Sequence, residues 1–183
     1  MDTLNIVVIE GTTRRLRESI KAAKFIADVG RSIEGVEITF VDPLDFNLPY
    51  DGNDDDVKDP RYTEITAKAD AFFIVTPEYN HSFPGSLKRL LDSELQNYNH
   101  KPVAFAGVSD GNWGGVRAIE ALVPAVRETG LVVLSIDVQF PRIQDIFDAN
   151  GALLDEKYTK RVMRIYTELI WMAKTLKWGR ENL

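Results

Sequence analysis

The chain contains no cysteine. Disulfides, thiolate metal sites and cysteine nucleophiles are thereby excluded. Histidine is scarce as well, with only His81 and His100, so a zinc or transition-metal centre is not expected. No stretch approaches the ~20 apolar residues of a membrane-spanning helix. The N-terminal run Ile6-Val7-Val8-Ile9 is too short for a signal peptide and lacks a basic start. A cytoplasmic protein without a membrane partner is the expectation. A basic excess is also missing, since the net charge is −6. Between Asp42 and Asp59 seven aspartates face one lysine, Lys58, so this segment accounts for the whole imbalance. A nucleic-acid partner, which needs a basic face, is not expected.

What is present fits one globular unit. The 183 residues are one domain's worth, 44% hydrophobic and 27% charged. A chain of this size buries roughly 70% of the surface it exposes when unfolded. Apolar runs at Leu4–Ile9, Val36–Val41, Ala71–Val75, Val103–Ala106 and Leu131–Val138 read as strands buried on both faces. Helical periodicity fills the gaps, over about Arg15–Ile33, Tyr62–Ala69, Ser86–Asp92, Val116–Thr129 and Asp155–Trp178. Strands alternating with helices imply a parallel sheet covered on both faces. Five strands fit the flavodoxin-like order 2-1-3-4-5, an α/β three-layer sandwich formed by residues 1–183 as a single domain.

In that topology the loops after strands one, three and four emerge on one edge, where open α/β sheets bind ligands. The first reads Gly11-Thr12-Thr13-Arg14-Arg15-Leu16-Arg17-Glu18-Ser19. Gly11 permits a sharp turn, while Thr12, Thr13 and Ser19 supply hydroxyls. Three arginines at a helix N-terminus oppose the helix dipole, so they ask for a bound anion such as phosphate. The dinucleotide fingerprint Gly-x-Gly-x-x-Gly and the Walker lysine pattern are both absent here. Asp42, at the end of the second strand, therefore reads as a loop-starting aspartate. The second loop, Thr76–Gly85, holds two prolines, a tyrosine and an asparagine, a stiff edge offering peptide groups to a flat ligand. The third, Gly107–Gly115, has four glycines and Trp113, which either covers a flat ring or packs. Phosphate donors beside two flat walls suit a phosphorylated aromatic ligand with the shape of flavin mononucleotide (FMN).

With Gly11-Thr12-Thr13-Arg14, Arg17 and Ser19, with Pro77-Glu78-Tyr79-Asn80 and with Gly107 to Gly115, the chain resembles the NAD(P)H-dependent FMN reductase family, over nearly its whole length. Members of that family also act as quinone, azo-dye or chromate reductases. The resemblance implies that Gly11, Thr12, Arg14, Arg17 and Ser19 form the phosphate site. It places Pro77, Glu78, Tyr79 and Asn80 along the isoalloxazine and ribityl chain, and Ser109, Asp110, Gly111 and Gly115 on the other side of the ring. It further implies FMN and NAD(P)H as cofactors, a small-molecule electron acceptor, and a homodimer or homotetramer. Catalytic side chains are not required, because the flavin carries the chemistry. Thr12 replaces the usual serine, Leu16 a common glycine, and Arg89-Leu90 a common Asn-Ala pair.

Rival motifs carry less. Gly107-Val108-Ser109-Asp110-Gly111 matches the Gly-x-Ser-x-Gly hydrolase elbow, but both histidines precede Ser109, whereas that fold needs one after it. Asp51–Asp56 hints at a calcium loop, yet its sixth position is Asp56 and its twelfth Tyr62, not glycine and glutamate. A flavodoxin-type electron carrier is the remaining alternative, separated from a reductase by NAD(P)H turnover. Leu87, Leu90, Leu91 and Leu95 are more apolar surface than one short helix needs, so any surplus is expected to serve a dimer.

Overall fold

A computed structural model describes residues 3–48, 54 and 58–183. The Asp51–Asp56 motif, apart from Asp54, lies outside the described residues. The elements run β1 (Leu4–Glu10), α1 (Ser19–Arg31), β2 (Val36–Val41), α2 (Pro60–Lys68), β3 (Ala71–Pro77), α3 (Gly85–Asp92), β4 (Pro102–Val108), α4 (Val116–Glu128), β5 (Val132–Val133), β6 (Val138–Phe140) and α5 (Lys157–Asn182). The ladders are all parallel, in the order β2-β1-β3-β4-β5, with β6 also paired to β4. This is the flavodoxin-like order expected from the sequence.

Side-chain alternation divides the interior into two cores. Ile6, Val8, Phe73 and Val75 pack with α1 and α5 on one face. Val7, Ile9, Phe72, Ile74 and Phe105 pack with α2, α3 and α4 on the other. Every residue of β3 and β4 is buried, as a central strand covered on both sides requires. Within α3, Leu87, Leu90 and Leu91 are all used in this core, which leaves only Leu95 of the four leucines exposed, at 41%. Among the described residues no helix is long and apolar enough to cross a membrane.

Two elements depart from the sequence expectation. The run Leu131–Val138 forms no continuous strand. Pro102 and Val103 pair with Val132 and Val133, but Ala106 pairs with Val138, so four residues of the edge strand span two of β4. Ser135 and Asp137 are poor strand formers, and an edge strand is free to bulge. The bulge keeps Leu134 and Val138 in the core. It also delivers the Phe140 carbonyl to the Ser109 N–H, at 3.2 Å.

Helix α1 begins at Ser19, four residues beyond the expected start near Arg15. Thr12 Oγ1 accepts the Arg14 N–H at 3.2 Å, a local bond that competes with helix. The Arg14 carbonyl, which a helix would offer to residue 18, accepts instead from the Arg17 guanidinium at 3.3 Å. The result is a longer loop between β1 and α1, with the arginines on it.

Candidate functional site

The loops after β1, β3 and β4 converge on a cleft of about 430 Å³. The first loop lines it with Arg14, Arg17 and Ser19, the second with Pro77, Glu78 and Tyr79, and the third with Ser109 and Asp110. Eight of the residues chosen from sequence therefore share one cleft. The other five lie behind or beside it. Gly11 is wedged against β3, where an added Cβ would stand 2.5 Å from the Val75 carbonyl oxygen. Thr12 is buried and bonds through Oγ1 to the Tyr79 hydroxyl at 3.1 Å. Asn80 sits exposed at a turn tip, Gly111 is exposed, and Gly115 is buried against β4. Trp113 is 69% exposed and is not among the residues lining the cleft.

The floor beneath the first loop holds a charged cluster that the sequence did not disclose. Glu10, the last residue of β1, is fully buried. Ser19 Oγ lies 2.5 Å from its Oε1. Arg17 pairs with Asp42 through Nη2, while its Nε stays 3.7 Å from Glu10. Asp42 also caps the turn it begins, accepting the Leu44 N–H at 3.0 Å. One cation thus stands between two carboxylates, and Asp42 takes it. Burial pushes Glu10 from an ordinary 4.5 up to about 8, outweighing the Ser19 hydrogen bond and the pull of Arg17, and Asp42 adds to the push. The native state therefore holds a proton that the unfolded chain releases between about pH 4.5 and 8. Glu10's contribution to stability therefore falls as pH rises through that window, by at most ~1.4 kcal/mol per pH unit. Glu10→Gln is expected to remove this component, so its urea midpoint should exceed the wild-type midpoint increasingly as pH rises.

The second loop is shaped by a tight hairpin. Tyr79 and Ser82 exchange backbone hydrogen bonds of 2.8 and 3.0 Å across Asn80 and His81. Both central residues have positive φ, 50° and 65°, the conformation of a type I′ turn. Glycine is preferred at the second position, and His81 occupies it. His81→Gly is expected to stabilise the protein by about 0.5–1 kcal/mol in a denaturant melt, the relief of left-handed strain less the entropy of glycine. The turn presents Tyr79 inward, with the Arg14 guanidinium 6.0 Å from its ring centroid. Glu78 is held by Arg117 of α4 at 2.5 Å, and its N–H donates to the Val108 carbonyl at 3.0 Å. This ties the second and third loops together.

The third loop is anchored from an unexpected direction. Arg142 N–H donates to the Gly111 carbonyl at 3.0 Å, and Ile143 N–H to the Ser109 carbonyl at 3.1 Å. Ile143 and Gln144 consequently join the cleft wall. Sequence reasoning missed both, and the segment after β6 carried no motif to flag them. Arg117 was missed too, although its position one residue into α4, directly after the glycine loop, was an available signal. Among the described residues no group of three His, Asp or Glu side chains forms a metal site.

The family model described as NADPH-dependent FMN reductase matches residues 4–145. The chain belongs to this family. A 2-hydroxy-1,4-benzoquinone reductase from a Burkholderia species is 31% identical over 189 residues, spanning 98% of each chain. An NAD(P)H-dependent FMN reductase of Pseudomonas aeruginosa is 34% identical over 125 residues, which are 62% of this chain and 65% of the relative. The match thus spans just under two thirds of that relative's length. In fold, the chain is similar to the flavoenzyme NAD(P)H:(acceptor) oxidoreductase FerB of Paracoccus denitrificans. The TM-score is 0.74 at 24% identity, over 94% of this chain and 98% of that one.

As a member of the FMN reductase family, the chain must be able to accommodate a phosphate and a flat ring. Among the described residues no side chain caps the N-terminus of the 13-residue α1, so its first N–H groups have no side-chain acceptor. Arg14 and the Ser19 hydroxyl stand at the same place, an arrangement suited to an anion. The Glu18 carboxylate beside them is paired with Lys21 at 2.7 Å. The cleft falls within the roughly 300–1,000 Å³ typical of cofactor sites. Its donor chemistry and size fit FMN.

Proposed function

We propose that the protein is an NAD(P)H-dependent FMN oxidoreductase delivering reducing equivalents to quinone, flavin, azo or similar small-molecule acceptors. The observation that carries this reading is the uncapped start of α1, with Arg14 and Ser19 beside it, at one end of a cleft walled by Pro77–Tyr79 and Val108–Asp110. In the proposed arrangement Arg14, Ser19 and the α1 N–H groups hold the phosphate. Thr12 fixes the loop and Tyr79 through their shared hydrogen bond. Arg17 acts from beneath by neutralising Asp42 and bracing the Arg14 carbonyl. Peptide groups at Pro77–Asn80 and Ser109–Gly111 flank the ring, and Gly115 lets the third loop lie close to β4. Bound FMN supplies the two-electron redox chemistry between nicotinamide and acceptor. The chain's contribution is to orient that ring, exclude water from one face and present fixed dipoles to developing negative charge.

The same reading takes residues 1–183 as a single FMN-binding domain in a cytoplasmic homodimer or homotetramer, with no nucleic-acid or membrane partner. All three α3 leucines are already used in the core, so a dimer contact near this helix would centre on Leu95, just beyond its end. After loading with FMN, NADPH or NADH oxidation should be saturable in a quinone and show the parallel-line pattern of a ping-pong scheme. FMN bound tightly without NAD(P)H oxidation would overturn this function in favour of an electron carrier.

A further inference from the structure

Beyond the assignment of an FMN cleft, one buried group has no task. Glu10 ends β1 directly before Gly11 and is fully buried. Among the described residues its Oε2 has no hydrogen-bond partner, and its Oε1 hydrogen-bonds only the Ser19 hydroxyl, at 2.5 Å, with Arg17 Nε further off at 3.7 Å. Ser19 in turn lines the cleft at the first position of α1. A serine hydroxyl has one proton to give, and an ionised carboxylate can only accept. Ionised Glu10 would claim that proton, so Ser19 would turn lone pairs towards an incoming phosphate. Protonated Glu10 reverses the polarity: its own O–H donates to Ser19 Oγ, and the serine proton is free to point into the cleft. The 2.5 Å separation of Ser19 Oγ and Glu10 Oε1 suits either polarity.

We propose that Glu10 is a positioning residue for phosphate recognition, donating its carboxyl proton to Ser19 Oγ so that Ser19 becomes a hydrogen-bond donor to the terminal phosphate of the flavin. This rests on the reading of the cleft as an FMN site. The charged groups that act on Glu10 are few. Arg17, from the loop after β1, is engaged with Asp42, from the loop after β2, and does not hydrogen-bond Glu10. Ser19 of α1 and Val75, the β3 residue in register with Glu10, are uncharged. Burial holds the carboxyl in its neutral form up to about pH 8. A phosphate is dianionic above about pH 6, so a charge beyond Ser19 strengthens this preference.

The test is a fluorescence titration of the apoprotein with FMN and with riboflavin, which shares the ring but has no phosphate, from pH ~7 to ~9.5. The FMN Kd should rise above about pH 8 by up to about tenfold per pH unit, while the riboflavin Kd stays level. In Glu10→Gln the amide N–H donates to Ser19 at every pH. Its FMN affinity should match the neutral-pH wild-type value and lose the alkaline decline. A level wild-type FMN profile overturns the relay and leaves the FMN site intact. Equal slopes for FMN and riboflavin also overturn it, because the effect then lies in the ring or the fold. No FMN binding at any pH overturns the relay and the FMN reading together. The wild-type comparison decides even where the glutamine variant does not fold.

Discussion

Gly115→Ala is expected to lower the melting temperature by roughly 4–20 °C. Two costs coincide at this residue. Its φ is +81°, a conformation that costs an alanine about 1–2 kcal/mol. The added Cβ would stand 2.4 Å from the Val108 nitrogen and 2.8 Å from the Gly107 Cα and carbonyl carbon, all backbone atoms of β4. Overpacking of this kind adds about 1–3 kcal/mol. At about 2–4 °C per kcal/mol for a chain of this size, the sum reaches the stated shift. Gly111→Ala is the control. Nothing lies within 4 Å of its Cβ position and its φ is not positive, so thermal melts of the two variants should separate cleanly. Loss of flavin affinity in Gly115→Ala would follow from displacement of the third loop.

Arg17→Ala and Arg14→Ala should fail in different ways. Arg17 is the counter-ion of Asp42, and their side chains are only 11% and 15% exposed. Its removal strands a mostly desolvated carboxylate beside the buried Glu10. Breaking such a pair costs about 3 kcal/mol, towards the low end for buried ion pairs because some solvent reaches both groups. It also frees the Arg14 carbonyl and loosens the first loop. Arg14 is exposed and lines the cleft, and among the described residues no carboxylate pairs with it. Arg14→Ala should leave the denaturation midpoint unchanged within error, yet weaken FMN binding by about tenfold or more, the loss of one charge-assisted hydrogen bond. Chemical denaturation and FMN titration of both variants provide the comparison. A stable Arg17→Ala protein would remove the floor cluster from this account.

The contrast between these arginines marks where sequence reasoning stops. Their position at a helix start is visible in the chain, and so is the tension with the helix dipole. That Arg17 is satisfied by Asp42, 25 residues away, depends on the β1–β2 pairing and has no local signature. The strand runs were legible because burial on both faces demands unbroken apolar segments, as in Phe72–Val75. The order of the sheet followed from the alternation of elements. The edge strand was not, because Leu131–Val138 is apolar enough to read as one piece while Ser135 and Asp137 interrupt it. The glycines of Gly107–Gly115 were legible as a special loop but not in their individual roles. Gly107, Gly114 and Gly115 let backbone segments touch one another, whereas Gly111 meets nothing in the protein. Ile143 and Gln144 reach the cleft only because the segment after β6 hydrogen-bonds to the third loop.

In the proposed function, the edge formed by the loops after β1, β3 and β4 binds FMN through its phosphate. Titration of flavin-free protein with FMN and riboflavin at neutral pH, followed by flavin fluorescence, tests it most directly. Saturation is expected at one FMN per chain, with affinity for riboflavin lower by at least about tenfold and most of that preference lost in Arg14→Ala. Equal affinity for the two flavins, or FMN binding untouched by Arg14→Ala, would contradict it.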